Sequence, residues 1–160
     1  MTDRSGGEPA SAEPSDAAPA GAAFDEIAEN FAFLEDWEER YRYLIELGRD
    51  MAPLPAALKT DGARVQGCAS QVWLVPRQEG SGPAARIAFD GDSDAMIVRG
   101  LIALLRILVN GRHASDIAAL DAQAEFGRLD LSGHLSAQRS NGLRAMVQRI
   151  KEIASEAAAA

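Results

Sequence analysis

The chain has 160 residues, a net charge of −8, 47% hydrophobic residues and a single cysteine. That length suits one domain with one core, and the composition is that of a soluble globular protein. The acidic balance argues against a nucleic-acid binder, whose phosphate contacts need clustered Lys and Arg; one cysteine excludes an internally disulfide-stapled scaffold and points to a reducing compartment, the cytoplasm.

Residues 1–23 carry Pro9, Pro14 and Pro19 among glycines and alanines, without hydrophobic periodicity. The segment lacks the apolar stretch of a signal peptide, and Asp3, Glu8, Glu13 and Asp16 make it too acidic for a transit peptide. It is read as a flexible tail, with the folded domain expected over 24–157. Ile27, Phe31 and Leu34 recur at helical spacing, and Asp36 can cap a second helix carrying Trp37, Tyr41, Leu44, Ile45 and Met51. Pro53 and Pro55 end it. After a polar connection with Gly62 in a turn, Val65 is expected to start a short strand. Ser70–Arg77 reads as the main strand, and apolar side chains on both of its faces predict a central or doubly covered position. Gln78–Pro83 reads as a hairpin turn and Ala84–Phe89 as the antiparallel partner strand.

Gly91-Asp92-Ser93-Asp94 is expected to open a helix running from about Asp94 to Val109, its acids serving as N-terminal caps. That helix is apolar on nearly all sides, so it is predicted to lie buried against the sheet, stopping at Asn110-Gly111. It is interrupted by Arg99 and Arg106 and is too short to span a membrane. Ser115 is expected to cap a short helix through Leu120, followed by another over Ala122–Arg128 and an irregular Leu129–Leu135. Ser136 caps a long last helix with Leu143, Met146, Val147, Ile150 and Ile153 on one stripe, its final alanines fraying. The sum is an α+β fold: a small antiparallel three-stranded sheet packed against several helices.

The chemistry concentrates at Cys68. A thiol is the strongest nucleophile available near neutral pH, and Gly67 before it lets the backbone turn sharply. Equally, a lone cysteine can serve as a small buried hydrophobe. Cys68, His113 and His134 lack the paired spacing of a zinc site, so no metal and no resident cofactor is expected. His113 is expected at the surface; a pairing of His134 with Cys68 is conceivable.

Gly67-Cys68-Ala69-Ser70-Gln71-Val72-Trp73 resembles the signature of the SufE family, the sulfur acceptors of iron–sulfur cluster assembly. Gly91–Ala95 with Ile97–Leu101, and Arg139–Met146, resemble two further family motifs in the same order, over roughly Phe24 to Ala154. The resemblance implies a SufE/IscU-like fold and a sulfur carrier that stimulates a cysteine desulfurase, itself not an enzyme. Cys68 would take sulfur as a persulfide from a SufS-like desulfurase, which holds the pyridoxal phosphate, and pass it to a SufB-like scaffold complex. Asp94 and Arg139 match motif positions, and Arg139 is expected either to lower the thiol pKa or to pair with a carboxylate such as Asp94. Ser70 and Gln71 are expected to support the loop, Trp73 to pack in the core, and Arg99 to face a partner or solvent. Two other readings stand beside it: a related acceptor feeding another pathway such as tRNA thiolation, and a one-cysteine thiol enzyme. A plain interaction domain with a buried cysteine is the least chemical of the possibilities.

Overall fold

The computed structural model describes residues 21–131 and 133–160. The expected tail therefore lies, through residue 20, outside the described residues. Helix α1 spans Ala22–Phe33, starting two residues before the expected domain edge. It buries Phe24, Ile27 and Phe31 on one stripe. Helix α2, Trp37–Asp50, begins where Asp36 accepts a hydrogen bond from the Glu39 N–H and ends before the two prolines. Helix α3 spans Met96–Val109; Leu101, Ile102, Leu104, Leu105 and Leu108 along it are all buried. Short helices α4 (Ala114–Ala119) and α5 (Ala122–Gly127) lead to the long α6 (Ala137–Ala159), capped by Ser136.

The sheet has three antiparallel strands in the order β1-β2-β3: β1 Val72–Glu79, β2 Arg86–Ser93 and β3 Arg112–His113. The count agrees with expectation, but the third strand is not at Val65. There, Ala63–Val65 only covers the outer edge of β1, through a bridge of Arg64 with Trp73 and bonds from Val65 N–H to the Val72 carbonyl and Leu74 N–H to the Ala63 carbonyl. Strand β1 is thus an edge strand rather than a central one. Pro76 within it, which has no N–H to donate, is compatible with that place. Strand β2 is central and longer than expected, pairing with β1 as far as Val72↔Ser93. Asp92 and Ser93 are consequently strand residues, and α3 starts at Met96 behind Ala95, with no side-chain cap. Helix α4, by contrast, starts early, at Ala114 behind His113, two residues before a Ser115 cap would place it, leaving Ser115 inside it.

One face of the sheet buries Val72, Leu74, Ile87 and Phe89 against α3. Helix α2 crosses α3 on the other side at a pair of glycines. A Cβ on Gly100 would stand 2.8 Å from the Leu44 carbonyl carbon and closer still to its oxygen, while one on Gly48 would meet the Gly100 nitrogen at 2.8 Å. The helices touch backbone to backbone, which no larger residue permits. The C-terminal alanines do not fray: Ala157 is buried and its carbonyl accepts the Gly82 N–H of the β1–β2 turn, pinning the helix end to the hairpin.

Gly100→Ala should therefore cost about 3 kcal/mol of stability, read as a drop in the urea midpoint with an unchanged slope. Gly127→Ala, where an added Cβ meets nothing within 4 Å, should stay within about 1 kcal/mol of wild type.

Candidate functional site

Gln66–Ser70 has neither helix nor strand structure and connects Val65 to β1. Gly67 opens it with φ +90°, a left-handed conformation that favours glycine. Its ends are fastened. Val65 is bonded to Val72, and Gln71 donates its N–H to the Asp94 carboxylate at 3.0 Å, while the Asp94 N–H reaches the Gln71 carbonyl at 3.3 Å. Asp94 thus clamps the loop exit to the end of β2, a role distinct from capping α3.

Cys68 lies half-buried at the mouth of a cavity of about 260 Å³ whose walls include Val98 and Leu101 of α3 and Arg139, Gly142, Leu143 and Met146 of α6. The thiol makes a long, weak S–H contact of 3.7 Å to the Gly142 carbonyl. A Cβ at Gly142 would sit 3.5 Å from Sγ, in contact with the sulfur. Burial pushes the Cys68 thiol above its ordinary pKa, so the thiol is the favoured form at neutral pH.

Ser70 borders the same cavity, and Gly67 shapes its loop. Arg139 lines the cavity too, but its side chain makes no hydrogen bond to the sulfur among the described residues, and the raised pKa is opposite to the activation considered for it. Nor does it pair with Asp94 within 4 Å; its backbone N–H takes the Ser136 cap. Arg99 turns inward. Its guanidinium bonds the Asp92 carboxylate and donates to the Gly48 and Met51 carbonyls, each at 2.8 Å. Trp73 is half-buried outside the core cluster, on the outer face of the sheet, with the Lys59 ammonium 5.1 Å above its ring. His113 is half-exposed beside Asp116, and His134 stacks on Trp37 at 4.0 Å, away from the cysteine cavity's lining. Among the described residues no group of three or more His, Cys, Asp or Glu side chains is arranged to hold a metal ion.

Asp92, expected as one of several caps, is a buried carboxylate only 2% exposed. Desolvation opposes its charge, but hydrogen bonds from Leu54 and Ser93 N–H groups and the Arg99 guanidinium outweigh it and hold the carboxyl below its usual range. Lys59 adds an ion pair at 3.5 Å. The sequence carried a signal for this: two arginines breaking an apolar helix need anions nearby. Arg106, the second, reaches the Phe89 carbonyl and Asp90 of β2.

A family model described as SufE, Fe–S metabolism associated domain, matches residues 25–154. An uncharacterised SufE-like protein of Rhizobium etli is 51% identical over 139 residues, covering 87% of this chain and 94% of that protein. One from Rhizobium meliloti is 49% identical over 129 residues, covering 81% and 92%. The solution structure of a hypothetical protein from Thermus thermophilus superposes with a TM-score of 0.68 over 86% of this chain and 97% of that one, at 20% identity; it shares the fold.

Two measurements check the electrostatics. Alkylation of Cys68 by iodoacetamide should rise with pH through a midpoint above that of the urea-unfolded chain, because the folded thiol ionises later. Asp92→Asn should lose about 3 kcal/mol at pH 7 by leaving Arg99 without its buried partner. The folded Asp92 titrates lower than the unfolded value of about 3.9, so its contribution is full above that pH and disappears as pH falls through the folded value. The wild-type advantage over Asp92→Asn, read from urea midpoints, should shrink below about pH 4.

Proposed function

The chain belongs to the SufE family, whose domain is associated with Fe–S metabolism, and from that membership we propose that it carries sulfur on Cys68. The Cys68 thiolate attacks the outer sulfur of a persulfide on a cysteine desulfurase. A new bond forms between Sγ and that sulfur, the old S–S bond breaks, and the desulfurase cysteine leaves as a thiolate that takes up the proton given up by Cys68. Thiol plus persulfide gives persulfide plus thiol, with no net oxidation and no further reactant. The pyridoxal phosphate that generates the sulfur belongs to the partner, as does the enzyme activity that the carrier stimulates. The loaded carrier then hands its sulfur to an iron–sulfur scaffold in the reducing cytoplasm, where a lone thiol persists.

The observation that carries this reading is the placement of the only cysteine on an irregular loop over a cavity of about 260 Å³. The cavity that Cys68 borders leaves room for an added sulfur while the loop is at rest. Burial disfavours the thiolate, so the exchange needs the loop to leave the cavity, and the loop has little regular structure to hold it. The same raised pKa weighs against a peroxide-reducing enzyme, which depends on a stabilised thiolate. Asp94, which grips Gln71, and Arg139, at the cavity wall, are proposed as positioning residues of the loop; Trp73 and Lys59 flank its base.

Incubated with the organism's own cysteine desulfurase and cysteine, the wild-type chain should gain roughly 32 Da, one sulfur, on Cys68 and raise alanine production. Cys68→Ala should do neither while unfolding at nearly the same urea concentration. Equal stimulation by both proteins, with Cys68 unmodified, would remove the acceptor role.

A further inference from the structure

A second cavity, larger than the one at Cys68, runs along the adjoining face of α6's first half. It holds about 410 Å³ between α6 and the α4–α5 pair. Its α6 wall is formed by Ser140, Leu143, Arg144, Val147, Gln148 and Lys151. These recur at the three- and four-residue spacing of one helix face, and eleven residues of rise make the groove about 16 Å long. Leu120, Phe126, Leu131 and Leu135 complete an apolar floor. Leu120, Leu135 and Val147 remain partly exposed to solvent in it.

The groove's charge runs against that of the molecule. The chain carries −8 overall, yet Arg144 and Lys151 stand on the rim and neither has a carboxylate within 4 Å among the described residues. Arg144 bonds the Asn141 amide, and Lys151 donates to the Leu120 carbonyl at 2.8 Å. The rim's acid, Asp121, is occupied in capping α5 through the Ala124 N–H. An apolar trough with an unneutralised cationic rim on an acidic protein suits an apolar helix face flanked by Glu and Asp. Its length matches a helix of about three turns anchored at i, i+3, i+4 and i+7.

We propose that this groove docks a short acidic amphipathic helix of a partner protein. The inference does not depend on sulfur transfer. Leu143 lines both this groove and the Cys68 cavity, so a partner seated here lies one helix face from the thiol.

The test is a heteronuclear NMR titration of the full ¹⁵N-labelled chain with a synthetic helix of about 14 residues, leucines at the four anchor positions and glutamates elsewhere. A second peptide carries lysines in place of the glutamates. The glutamate peptide should bind below millimolar concentration and shift the resonances of Leu120, Phe126, Leu143 and Val147. Arg144→Glu combined with Lys151→Glu should weaken it about tenfold or more and strengthen the lysine peptide. Arg144→Gln with Lys151→Gln, a milder change to the fold, should fall between. Equal binding of the two peptides, shifts confined to other surfaces, or no binding at millimolar peptide overturns the proposal. So does decanoate shifting these resonances where neither peptide does, which would make the cavity a site for a small amphiphile.

Discussion

The structure around the cysteine hangs on one buried ion pair, Asp92 with Arg99. The carboxylate sits at the end of the central strand and accepts from Leu54, Ser93 and Arg99, while the guanidinium also satisfies two carbonyls at the end of α2. Helix carbonyls left without partners at a C-terminus need such donors when they are buried. A single pair thus joins β2, α3, the end of α2 and the segment leading out of it. Removing either partner leaves an uncompensated charge in the interior, which costs far more than a surface pair would.

What this fixes is the frame of the cysteine loop. With Asp92 held, Ser93 and Asp94 follow in a set place, and Asp94 receives the Gln71 N–H at the loop exit. The glycine crossing of α2 and α3 holds the other side of the frame, because backbone contact there leaves no slack. The loop between these anchors has no regular structure of its own. Rigid ends with a loose middle allow the middle to move without disturbing the fold, since local opening draws on the least-bonded segment first. The thiol meanwhile rests against Gly142, half-covered and with its ionisation disfavoured. A resting thiol of this kind is protected from adventitious oxidation, which follows thiolate character and exposure.

Much of the element order is legible along the chain. Asp36 and Ser136 each cap the helix that follows them, and the apolar run after residue 95 becomes the buried central helix. The errors fall where a residue's partner lies far away in sequence. Asp92 and Asp94 have the composition of a helix start, but strand pairing with β1 runs through Asp92 to Ser93, turning the Asp92 carboxylate inward to Arg99 and leaving Asp94 just beyond the strand, its carboxylate across at Gln71. Arg99 looks like a surface cation because local pattern cannot display the α2 carbonyls it meets. Trp73 looks like core because its alternation with Val72 and Leu74 does not say which side of the sheet is covered. The second groove left no signal at all, since its walls come from three helices whose packing no local period encodes.

Local pattern was enough to establish the family and the α+β class, because these rest on short motifs and on the helix and strand periods written into neighbouring residues. Only the assembled fold settled which strand lies at the edge, where Arg99 and Trp73 point, and that Arg139 and Asp94 stand unpaired with each other. It also set the sulfur against the Gly142 carbonyl, 74 residues away along the chain, where burial and not a neighbouring cation governs its ionisation. The cause is the same throughout: packing and desolvation depend on which segments meet, and that is a property of the whole chain folded.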